Sequence, residues 1–240
     1  MEFMKIPNDL IDQVSDRKIA ATQYILNVLV DIYRNMSYNG RSYVHQRTIR
    51  DSFGIAKSGD YRIMDDTIQA LSALHKKGYI DFVDKLDGYR YNKFIRVQAT
   101  ENLLDCKDYT RLEYYELDTL MESDYKVKRE NIVRIFLYLK RNFYHRDPSD
   151  TDSKVPNACI KCQKDIVWDT GLCRQTVIKC VNCLAGMDGD YPLIVIAKSR
   201  RIGKSIREQN IYVLNRPGYE HEIELAQDML EGMSKENEKE

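Results

Sequence analysis

Apolar residues recur every three or four positions across residues 18–36, so that Ala21, Ile25, Val28, Leu29 and Ile32 share one face of a predicted helix. A short second helix is predicted over 46–53, with Gly54 and Ile55 at the turn that follows. A third runs over about 60–77, burying Ile63, Met64, Ile68, Leu71 and Leu74, and stops at Gly78. Next comes YIDFVDKLDGYRYNKFIRVQ, whose apolar and aromatic runs flank Asp87 and Gly88 and predict a β-hairpin. The second half repeats this order. Residues 128–144 place Ile132, Ile135, Phe136 and Leu139 on one helical face, and 193–197 and 209–214 are β-like runs around the basic turn KSRRIGKSIR.

Between them, QKDIVWDTGLCRQTVIKCVN reads as a helix-turn-helix. Ile166 and Val167 turn inward from its first helix, Gly171 stands at the corner, Leu172 plugs it, and Val177 and Cys180 face inward from the second helix. Trp168 falls inside the first helix, where packing is the expected role. Three helices followed by a hairpin, met twice, predict a mainly α protein with small β-hairpins (α+β), built from two tandem winged-helix domains. The first spans 1–98 and the second 125–215; 99–124 forms an acidic connector and lead-in, and 216–240 an acidic tail. In the lead-ins, FMKIPNDLI before the first unit loosely matches YYELDTLME before the second.

The net charge of zero hides a segregation that changes the picture. Residues 125–215 carry 17 Lys and Arg against 9 Asp and Glu, whereas the connector carries 2 against 8 and the tail 3 against 8. The basic region is the one that holds the helix-turn-helix, which favours a polyanionic partner. The outward positions of its second helix are Arg174, Gln175, Thr176 and Lys179, side-chain types that reach base edges and phosphates in a major groove. Lys198, Arg200, Arg201, Lys204 and Arg207 on the hairpin would meet phosphates or a narrow minor groove. In the first domain Lys57, Arg62, Arg90 and Lys93, with Arg47 and Arg50, offer backbone contacts. Asp60, Asp65 and Asp66 would repel phosphates at the end of its third helix.

The motif CQKDIVWDTGLCRQTV resembles the SQKDIA-turn-GLSRQTV pattern of bacterial winged-helix regulators, and the tandem arrangement resembles the replication initiators of bacterial plasmids, phages and related mobile elements. The resemblance is sharp over residues 162–182 and architectural elsewhere. It implies a sequence-specific duplex-DNA-binding protein that starts replication, recruits host replication proteins and forms a homodimer through its first domain. A transcription regulator shares the module, and a protein-interaction scaffold without DNA binding is the third reading.

Other chemistry is thin. Cys159, Cys162, Cys180 and Cys183 have the C-x2-C-x17-C-x2-C spacing of a four-thiolate zinc site. The helix-turn-helix accounts for the same thiols otherwise, with Cys162 and Cys173 as helix caps and Cys180 as a small buried residue, so no cofactor is expected. Gly203, Lys204 and Ser205 lack the earlier glycine of a phosphate-binding loop, and the four histidines are scattered, so no enzyme is expected. The chain has no run of about 18 apolar residues and no secretory leader, which predicts a cytoplasmic protein without membrane contact. The tail carries an apolar stripe through Ile223, Leu225, Ala226, Met229, Leu230 and Met233, expected to dock on its own domain.

Overall fold

The computed structural model describes residues 3–15, 25–53, 60–84, 93–122, 127–144, 153–186, 192–199 and 209–237. The fold is α+β, with three small antiparallel sheets among the described residues. Two compact units divide it: Met1–Glu122 with Lys128–Leu137, and Ser123–Val127 with Tyr138–Glu240.

Each half is introduced by a strand that runs directly into a helix. β1 (Phe3–Pro7) feeds α1 (Asn8–Ser15), and β5 (Tyr109–Glu113) feeds α6 (Tyr114–Glu122). The two strands pair antiparallel, Phe3 opposite Glu113 and Pro7 opposite Tyr109. Alternation along them buries Met4, Ile6 and Leu112. The Thr110 hydroxyl donates to Asn8 Oδ1 at 2.7 Å, tying the start of α1 to the strand beside it. The stretch read as an acidic connector is thus largely structured, since it also holds α5 (Glu101–Leu104).

In the first unit α2 (Ile25–Arg34) is followed by β2 (Arg41–Val44), α3 (Gln46–Phe53), α4 (Asp60–Lys76), β3 (Ile80–Phe82) and β4 (Ile95–Ala99). Ile25, Val28, Leu29 and Ile32 are fully buried, and α2 is buried on its other faces as well, through Leu26, Val30 and Tyr33. Ala21, the turn at Gly54 and Ile55 and the hairpin tip at Asp87 and Gly88 lie outside the described residues. Two residues beyond α4 stands Gly78, whose φ of +73° is a left-handed conformation that glycine adopts without steric cost.

The same order recurs as α7 (Arg129–Arg141), β6 (Ala158–Lys161), α8 (Gln163–Thr170), α9 (Arg174–Leu184), β7 (Ile194–Lys198) and β8 (Asn210–Leu214). The boundary between the compact units falls within α7. The sheets have matching orders, β2-β4-β3 and β6-β8-β7. The sequence reading missed β2 and β6, because four residues are too few for alternation to stand out.

The correspondence extends to single residues. Gln46 and Gln163 open the second helices, and three residues on, Ile49 and Ile166 are both fully buried. Asn35 and Asn142 each follow the first helix by one residue, and each side-chain amide donates to the carbonyl four residues earlier at 2.9 Å.

The outer faces of the two sheets differ. In the second unit Ala158, Ile160, Ile211 and Val213 form a core with Ala226 and Leu230 of α10 (Tyr219–Asn237), so the C-terminal stripe docks on this sheet. At the matching positions of the first sheet stand Arg41, Tyr43, Arg96 and Gln98, exposed or half-buried. No helix among the described residues is long and apolar enough to cross a membrane.

Candidate nucleic-acid interface

α8 starts at Cys162, whose backbone N–H donates to the Asp165 carboxylate at 3.4 Å, the return contact of a capping arrangement. It ends at Gly171, with φ +66° and its N–H bonded to the Val167 carbonyl at 3.0 Å. A residue with a Cβ is disfavoured in that left-handed conformation, so the glycine fixes where the chain turns. Thr170, fully buried, bonds back to the Ile166 carbonyl at 2.6 Å and stiffens the last turn. On the other side of the helix the Tyr138 hydroxyl donates to Asp169, holding α8 against α7.

Three residues separate α8 from α9, which has Cys173 at its N-cap. Val177, Cys180, Val181 and Leu184 are buried, a spacing of three, four and seven that lays one stripe into the core. Arg174, Gln175 and Lys179 consequently face solvent. Thr176 is half-buried and its hydroxyl lies 3.1 Å from Cys173 Sγ, so it serves the cap. The first turn of α9 carries no acidic residue, and its N-terminal backbone N–H groups and Arg174 give the same end a positive potential.

Lys198, at the end of β7, is exposed, whereas Arg200, Arg201, Lys204 and Arg207 lie outside the described residues. In the first unit Lys93 and Arg47 are exposed, and Arg50 is paired with Asp51 at 2.9 Å. Arg62 belongs to α4, its side chain outside what is described, and Lys57 and Arg90 also lie outside the described residues.

Two expectations need correction. Trp168 does not pack inward: it is 73% exposed, because position 168 falls on the outer side of α8, two residues beyond the buried Ile166. Val167 and Leu172 are half-buried, so the corner core rests on Ile166, Thr170 and the α9 stripe. The six cysteines are all described and none is in a disulfide, and among the described residues no group of three or more His, Cys, Asp or Glu is placed to hold a metal ion. Burial pushes the thiols of Cys159 and Cys180 up to about 12, as for inert core residues. The exposed Cys173 thiol is lowered, first by its hydrogen bond to Thr176 and then by the backbone of the α9 first turn.

Sequence reasoning overlooked a cluster in the first unit, where Tyr43, His45 and Phe94 meet at the sheet surface. The signal was the alternation in RSYVH, too short to read as a strand. No protein-family model matches the chain, and no curated protein matches it.

Proposed function

We propose that this protein consists of two tandem winged helices and binds specific duplex DNA through α9, as an initiator of replication on a plasmid, phage or integrated element. The observation that carries the reading is the pairing of a left-handed Gly171 with a helix that buries Val177, Cys180 and Leu184 while Arg174, Gln175 and Lys179 stay exposed on its other side. A helix of about three turns with a positive N-terminal end fits a major groove, where arginine reads guanine and glutamine reads adenine. In this reading Lys198 and the basic residues between β7 and β8 contact backbone phosphates. The repeated element order and the resemblance of residues 162–182 to bacterial winged-helix regulators support the module.

Selection from a random duplex pool tests it. A consensus is expected that Arg174→Ala with Gln175→Ala weakens by about tenfold or more, with a log-log salt slope of roughly −4 to −5 for five phosphate contacts. A consensus that survives both changes puts the reading surface elsewhere, and a slope near zero removes DNA as the partner. The initiator role predicts that the protein sustains a replicon carrying its sites; an effect on promoter output alone assigns a transcription regulator instead.

A further inference from the structure

The outer face of the first sheet holds a cleft of about 480 Å³, lined by Asn35, Tyr43, His45, Thr48, Phe94 and Arg96. Phe94 is 64% exposed and Tyr43 53%, an unusual state for two large rings on a sheet. Both are held in place: the Phe94 ring lies 4.5 Å from the His45 ring and meets Tyr43 edge-on at 6.5 Å. Its neighbours thereby fix its orientation while much of its surface faces solvent. Arg96 is also fixed, its Nε bonded to both Asp84 oxygens at 3.0 and 2.9 Å and its Nη2 to one of them. Arg41, two residues before Tyr43 on the same face of β2, adds a second exposed guanidinium. Thr48 and Asn35 complete the wall with a hydroxyl and an amide.

The composition selects the ligand. An apolar partner would need the kind of surface that α10 covers on the second sheet, yet here Arg41, Arg96, Gln98 and Asp81 occupy the corresponding positions. Oriented rings give a planar aromatic group a stacking surface, small polar groups meet its edge, and a guanidinium at the rim meets an anion. We propose that this cleft binds a nucleobase carrying a phosphate, with the base stacked on Phe94 and the phosphate toward Arg41, since the Arg96 guanidinium is already paired with Asp84. The site uses no residue of α9 and does not depend on the duplex reading. The base can come from a free nucleotide or from an unpaired position in a nucleic-acid strand, which share this chemistry.

The full chain is titrated with adenosine monophosphate by calorimetry, and with a labelled single strand of about ten nucleotides by fluorescence anisotropy. Phe94→Ala is expected to weaken binding by about tenfold or more, the loss typical of one stacked base, while Phe94→Trp retains it. Saturation by the mononucleotide, with displacement of the strand, identifies the free nucleotide as a sufficient source; binding of the strand alone identifies the unpaired base. Arg174→Ala should leave either interaction intact while weakening duplex binding, so this site and the duplex surface can fail separately. Tyr43→Ala provides a second exposed substitution should Phe94→Ala disturb the fold. The proposal is overturned if neither probe binds, if neither ring substitution weakens binding, or if Arg174→Ala alone removes the strand.

Discussion

The sheets β2-β4-β3 and β6-β8-β7 share order and register, yet Ala158, Ile160, Ile211 and Val213 lie under α10 where Arg41, Tyr43, Arg96 and Gln98 meet solvent. On the inner face the two agree better, since Ser42 and Val97 of the first and Cys159 and Tyr212 of the second are all buried. Strand pairing and helix order are therefore compatible with opposite chemistry on the outer face. What decides that chemistry is whether a later segment covers the sheet, because apolar side chains gain roughly 25 cal/mol per Å² only when something removes them from water.

The largest test of this contrast is Ala226→Arg, which forces a charge into the fully buried contact between α10 and its sheet. It is expected to cost more than ~3 kcal/mol in urea unfolding, because a guanidinium there has no prepared partner. A loss below ~1 kcal/mol would mean that α10 contributes little to the second core.

A second test compares the first helices. Counting back from Asn35 and Asn142, Asp31 of α2 stands where α7 has Tyr138. Tyr138 sends its hydroxyl to Asp169, but Asp31 is 3% exposed and its Oδ2 has no hydrogen-bond partner. Burial raises the Asp31 carboxyl from the ordinary 3.8 to about 7, against the opposing pull of Arg34 and hydrogen bonds from Asn35 and the His45 backbone. A raised folded-state value means that the folded chain binds a proton which the unfolded chain has released. The associated stability is full below 3.8 and is lost as pH rises through about 7. Asp31→Asn should flatten that decline and raise stability by on the order of 2 kcal/mol at about pH 8, as read by thermal unfolding across pH. An unchanged pH profile would show that the carboxyl is not the source.

Gly171→Ala comes next, with an expected loss of about 1–2 kcal/mol because the left-handed turn penalises a Cβ. Retention of wild-type stability would show that the turn between α8 and α9 tolerates another backbone conformation. The smallest effect belongs to Tyr43→Ala, expected within ~0.5 kcal/mol in urea unfolding, since this ring is exposed where its counterpart Ile160 is buried. A loss as large as that from Ala226→Arg would erase the contrast between the outer faces.

Much of the element order was legible because α2, α4, α7 and α9 carry apolar residues at the three- and four-residue spacing of a helix. The turn at Gly171 and the cap at Cys162 were legible for the same local reason. The outer sheet faces were not. β2 and β6 are four residues each, and Ile160 is covered by α10, which arrives dozens of residues later. Trp168 shows the reverse error: a large apolar residue inside a helix reads as core, but its angular position relative to Ile166 and Thr170 puts it outside. For the interface, the outward set Arg174, Gln175 and Lys179 followed from helical spacing, whereas the diversion of Thr176 to Cys173 depends on a side-chain rotamer that no periodicity encodes.

The distribution of thiols gives the protein a built-in reporter. Cys159, Cys180 and Cys183 are sealed in the interior, while Cys173 is exposed at the head of α9 with its ionisation favoured. A maleimide dye should therefore label the native chain first at Cys173, without an engineered cysteine, and the emission of that dye would register anything that approaches the adjoining Arg174.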